Sequence, residues 1–149
     1  MPEIAELIQF AIKKEKEAYE LYFGFAKKTK NPAAKKLLEE LAEEELGHKK
    51  ALQNLSETED ILNFQIKPVQ DFKLSDHLVG YTIDENSDMQ AVLIYAMKAE
   101  KVAFELYTKM AEAALDDQNI SLFQKLAQME LSHKNRLEIL YEDMFYTDN

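Results

Sequence analysis

The chain has 149 residues, 46% of them hydrophobic and 31% charged, with a net charge of −10 and no cysteine. That length and balance predict one helix-rich globular domain spanning 1–149, and the acidic total argues against nucleic acid and anionic membranes as partners, which need a basic face. Without cysteine, this chain forms no disulfide, thiol nucleophile or Cys-ligated zinc, iron–sulfur or rubredoxin-type centre.

The first predicted helix covers Glu3 to Thr29, where Ile4, Ile8, Ala11, Ile12, Ala18, Tyr19, Tyr22, Phe25 and Ala26 recur at helical spacing. Glu15 lies in the middle of this apolar stripe. Phe10 and Leu21 fall off it, and phase leaves them either to pack beneath a later segment or to meet a second copy. Neither a signal-peptide pattern nor an apolar run of about 18 residues occurs, so the cytoplasm is the expected compartment. Asn31-Pro32 reads as an N-cap followed by proline in the first turn. The second helix then runs to about Leu55, with Leu37, Leu38, Leu41, Ala42, Leu52 and Leu55 inward. Glu45 and His48 share that face, whereas Glu43 and Glu44 read as part of a solvated acidic side.

Residues 56–86 break the pattern, apart from a short helical stretch at Leu74–Leu78 that carries His77, read as a surface or capping histidine. So long a connection is unusual in a helix bundle unless it crosses over, letting the helices on either side run parallel. Ser87-Asp88 caps a third helix reaching about Leu115, with Leu93, Ala96, Met97, Ala103, Phe104, Tyr107, Met110, Ala111 and Ala114 inward and Glu100 among them. Asp116-Asp117 caps a fourth, lined by Leu122, Phe123, Leu126, Ala127, Leu137, Leu140, Tyr141 and Met144 and interrupted by Glu130 and His133. The fold class expected is all-α: an antiparallel four-helix bundle of two helical hairpins with a long crossover between the second and third helices.

The two halves repeat. Residues 11–52 laid on 96–137 without gaps give 17 identities in 42 positions, and the shift of 85 pairs Glu15 with Glu100, Tyr22 with Tyr107, Glu45 with Glu130 and His48 with His133. Each Glu-x-x-His places a carboxylate and an imidazole on one helix face. If the first hairpin turns near residue 30, Glu15 and Glu45 each lie about 22 Å from the turn, at the same height. The second hairpin repeats this about residue 115. Four carboxylates on inner faces would repel one another or take up protons unless cations balanced them, and the inner stripes offer no lysine or arginine. Oxygen and imidazole donors without thiolate suit two iron ions, with manganese or zinc as alternatives. The expected ligands are therefore Glu15, Glu45, His48, Glu100, Glu130 and His133. Glu from two helices and Glu-x-x-His from the other two is the pattern of dinuclear carboxylate bundles. Tyr22 and Tyr107 follow their glutamates by two turns and are placed to bond ligand carboxylates and to supply a proton. Ala18 and Ala103, one turn from Glu15 and Glu100, would leave room for a small oxidant.

The stretches Ala-Ile-Lys-Lys-Glu15-Lys-Glu-Ala-Tyr-Glu-Leu-Tyr22 and Leu-Ala-Glu-Glu-Glu45-Leu-Gly-His48, with their second-half copies, resemble the ferritin-like superfamily and its short, rubrerythrin-like branch. The resemblance implies that Glu45 and Glu130 bridge two metals, that Glu15 and Glu100 are terminal, and that His48 and His133 bind one metal each. It implies a non-haem di-iron oxidoreductase acting on peroxide or dioxygen, or else a non-catalytic iron-binding, sensing or storage protein. Two departures matter: Ala103 stands where rubrerythrins carry a further carboxylate, and no Cys-ligated domain is present. Electrons would thus come from an external redox protein. Leu46 replaces the haem-binding methionine of bacterioferritin, so no haem is expected, and the expected assembly is a homodimer.

Overall fold

A computed structural model describes residues 4–57, 83, 84 and 86–146. Among them are four helices: α1 (Ile4–Lys28), α2 (Pro32–Glu57), α3 (Met89–Ala113) and α4 (Asp117–Phe145). Each boundary lies within about two residues of its expected place, because the stops are chemical. Asn31 Oδ1 accepts from the Ala34 amide at 3.0 Å, Asp88 from Ala91 at 2.8 Å and Asp116 from Asn119 at 2.9 Å. Each bond satisfies an amide that the first helical turn leaves without a partner.

α1 packs along α2 and α3 along α4, and the two hairpins meet through narrower α2–α4 and α1–α3 contacts. Cross-pairs fix the directions. Tyr22 bonds Glu100 and Glu15 is bonded by Tyr107, so a step of seven up α1 is a step of seven down α3. His48 meets Glu130 and Glu45 meets His133, three up in α2 for three down in α4. Both of these pairs are therefore antiparallel, and α2 must be parallel to α3. The end of α2 and the start of α3 consequently lie at opposite ends of the bundle, about 39 Å apart for a helix of 26 residues. That geometry accounts for the long connection. The expected short helix near Leu74 and the role of His77 lie outside the described residues.

Two apolar clusters fill the bundle, one toward each end. One joins Leu7, Ile8 and Ala11 of α1 to Leu52, Leu106, Met110 and Phe123. The other joins Tyr22, Phe25 and Ala26 to Leu38, Leu41, Leu93, Leu137 and Leu140. Phe10 and Leu21 are half-buried against these clusters. Leu7, Val92 and Leu106 are fully inside, although they stand beside the expected stripes. A helix buried by two neighbours needs a wider apolar face than a single stripe. Between the clusters lies a layer that is not apolar at all.

Candidate metal centre

That layer holds Glu15, Glu45, His48, Glu100, Glu130 and His133, all buried, the four glutamates at 1–2% exposure. All six expected ligands are brought together, one pair of helices contributing Glu15 and Glu100 and the other the two Glu-x-x-His units. Ligand atoms of Glu15, Glu45, His48 and Glu130 lie within 4.8 Å of one another, and so do those of Glu45, Glu100, Glu130 and His133. The two quartets share Glu45 and Glu130. Two ions held in these quartets would share Glu45 and Glu130, and Nδ1 is the imidazole atom turned inward on both histidines.

The contacts within the layer are those of atoms converging on a shared point. His133 Nδ1 lies 2.7 Å from Glu45 Oε1, yet neither atom makes a hydrogen bond of acceptable angle. Glu15 Oε2 and Glu100 Oε2 are likewise buried without a hydrogen-bond partner. Leaving several buried polar atoms unmatched costs on the order of 1–3 kcal/mol each. A cation in each quartet would satisfy them, so the residues fit a dinuclear metal centre. The imidazole rings stack 5.7 Å apart and nearly parallel, at 8°.

Electrostatics point the same way. Burial first, and then the charges of Glu100 and Glu15, push the Glu45 carboxyl well above the usual range. Burial and the charges of Glu100 and Glu45 do the same to Glu130. Glu15 goes the other way: burial raises it, but the neighbouring His48 and Glu45 side chains outweigh burial and lower it. His133 is lowered by burial and raised by its contact with Glu100, which wins. Without metal the layer thus retains protons that two cations would displace.

Tyr22 donates to Glu100 Oε1, and Tyr107 donates to Glu15 Oε1 at 2.6 Å. Both bonds reach across to the other hairpin. Burial, with the charges of Glu100 and Glu15 respectively, holds both phenols well above their usual value of 10, so each stays a donor that orients its carboxylate. Tyr107 also stacks on Phe123, with ring centroids 6.3 Å apart.

A cavity of about 550 Å³ opens between α1 and α3 and reaches Glu15, Glu45, Glu100 and Glu130 past Ala18 and Ala103. The two alanines thus stand where small side chains leave passage to the glutamates. Sequence phase missed two residues of the surround. Glu44 was assigned to the solvated side, yet its Oε1 lies 3.5 Å from His133 Nε2 and its Oε2 accepts from Arg136 at 2.9 Å. Burial raises the Glu44 carboxyl, but Arg136 and His133 outweigh it and bring it below the usual range. Arg136 also donates to Glu40, at 2.8 Å. No sequence signal marks this group, because a half-buried glutamate between two stripes looks like any other.

The comparisons agree with the geometry. A search of curated proteins returned no match. Among solved structures, a hypothetical protein from Pyrococcus furiosus is 29% identical over 94% of this chain and 89% of its own, with a TM-score of 0.76. A protein from Thermotoga maritima, named as a candidate ferritin-like diiron-carboxylate protein, is 19% identical with a TM-score of 0.74, over 98% of this chain and 97% of its own. At that identity the second likeness speaks for the ferritin-like fold alone. The family model described as Rubrerythrin matches residues 6–141, which take in the four helices from Glu6 to Tyr141 and every residue of the buried layer. The chain belongs to the rubrerythrin family.

Proposed function

We propose that the chain is a non-haem di-iron oxidoreductase of the cytoplasm that reduces hydrogen peroxide or dioxygen, with electrons from an external redox protein, and works as a homodimer. The observation that carries this reading is the pair of buried quartets sharing Glu45 and Glu130, reached by a cavity of its own. When bound, two ferrous ions supply the two electrons that, with two protons, convert one hydrogen peroxide to two waters. Glu15 and Glu100 would hold the outer sides of the centre, and His48 and His133 would present Nδ1 to one position each. Tyr22 and Tyr107 keep a proton at each hydroxyl beside those carboxylates and fix their direction. Ala18 and Ala103 leave space for a small oxidant, and the apolar surroundings limit water. The chain has no cysteine to hold an electron-transfer centre, so reducing equivalents come from outside it.

The test is iron loading followed by peroxide consumption with an artificial reductant. Metal-dependent turnover in the wild type, lost in Glu45→Ala, is the expected result. Stoichiometric iron uptake without sustained turnover would instead make the chain an iron-binding, sensing or storage protein. Chelation without effect on the melting temperature would count against any metal centre.

A further inference from the structure

The buried layer is twofold, but its surround is not. His133 Nε2, in a fully buried ring, has Glu44 Oε1 3.5 Å away without a hydrogen bond of acceptable angle, and Glu44 is held in turn by Arg136, which also anchors Glu40. Shifting each of these residues by 85 gives the other half's version. Glu44 becomes Met129, Glu40 becomes Lys125, and Arg136 corresponds to Ala51. The register agrees: four up α2 from Glu44 is His48, and four down α4 from His133 is Met129. By that register Met129 stands level with His48, a thioether that accepts hydrogen bonds weakly, and the position equivalent to Arg136 is Ala51. His48 is also the more open of the two rings, at 8% exposure against 0% for His133.

From this asymmetry we infer that the two ion positions are unequal. The position of His133, Glu100 and the shared glutamates is the tight, retained one, and that of His48 and Glu15 is the weaker, exchangeable one. The inference rests on the dinuclear reading above and extends it. A carboxylate held this close to Nε2 favours the tautomer with its proton on Nε2, which leaves the Nδ1 lone pair free for metal, and a small shift of Glu44 would close the hydrogen bond once an ion fixes the ring. Losing such a partner typically costs roughly 10–100-fold in metal affinity. Glu44 and Arg136 are positioning residues here: neither supplies an atom to the buried quartets.

Titration of the metal-free chain with Zn²⁺, followed by NMR of the imidazole nitrogens, reads the order of filling directly. In the wild type the first equivalent should shift His133 Nδ1 and the second His48 Nδ1. Glu44→Gln should erase that preference, weakening the His133 position by roughly 10–100-fold while leaving His48 unchanged. Met129→Glu supplies the missing carboxylate and should tighten the His48 position, an outcome that general loss of structure cannot imitate. Parallel shifts of both imidazoles in the wild type, or an unchanged order in Glu44→Gln, would overturn the inequality. Saturable zinc binding with equal steps would leave the dinuclear centre standing without it. Absence of any imidazole shift would instead overturn the centre itself, and this inference with it.

Discussion

Tyr22 and Tyr107 each place one hydroxyl on one carboxylate, and removing that oxygen alone separates orientation from packing. Tyr22→Phe and Tyr107→Phe keep the ring, so both variants should fold. Each deprives one carboxylate oxygen of its tyrosine donor from the opposite hairpin, and a loss of roughly 10-fold in metal affinity is expected, read by competition with a chelator. The buried carboxyls give a pH signature of the metal-free chain. Glu45 and Glu130 have folded values well above their unfolded ones, so the folded state binds more protons between the two values. Stability contributed by these groups is full below about pH 4.5 and is lost as pH rises toward the raised values. The melting temperature of metal-free protein should therefore fall as pH rises above about 4.5. Saturating metal, which binds the ionised carboxylates, should abolish or reverse that slope; a flat profile without metal would contradict the protonated layer. Glu15 and Glu44, lowered in the fold, work in the opposite sense, but their contribution is complete above about pH 4.5 and is lost only as pH falls below it.

At the level of the helix, the packing is conventional outside the charged layer. Leu137→Ala empties a fully buried site in the cluster around Leu38, Leu41 and Leu93, and should cost about 2–5 kcal/mol in denaturant unfolding without altering metal stoichiometry. Asp88→Ala removes an N-cap and should cost about 1 kcal/mol. The helices and caps were legible in the sequence because periodicity and capping are local, and the six buried ligands because the 85-residue repeat placed them in phase. Less legible were Leu7, Val92 and Leu106, whose burial depends on which neighbours a helix acquires. Glu44 was read as solvated because only the antiparallel register of α2 on α4 brings it to His133. The crossing at residues 58–82 could be inferred from helix direction, but its own structure is not among the described residues.

Across the whole molecule, each hairpin has an extended contact within itself, while the two hairpins share narrower contacts and the charged layer. Metal removal should accordingly lower the melting temperature by several degrees and loosen the association of hairpins before the hairpins themselves. Hydrogen exchange can check this: amides at the α1–α3 and α2–α4 faces should lose protection first. Among the described residues no helix is long and apolar enough to cross a membrane. The short contacts of the layer carry a further consequence. Tyr22 with Glu100, Tyr107 with Glu15, His48 with Glu130 and His133 with Glu45 all join one half of the chain to the other. A duplicated segment ordinarily frees one copy to drift. Here neither copy holds a complete constellation, so any drift in one breaks bonds made by its twin. Divergence between the copies is free only outside the interlocked set, as at Glu44 and Met129, where two halves of one repeat can acquire different tasks.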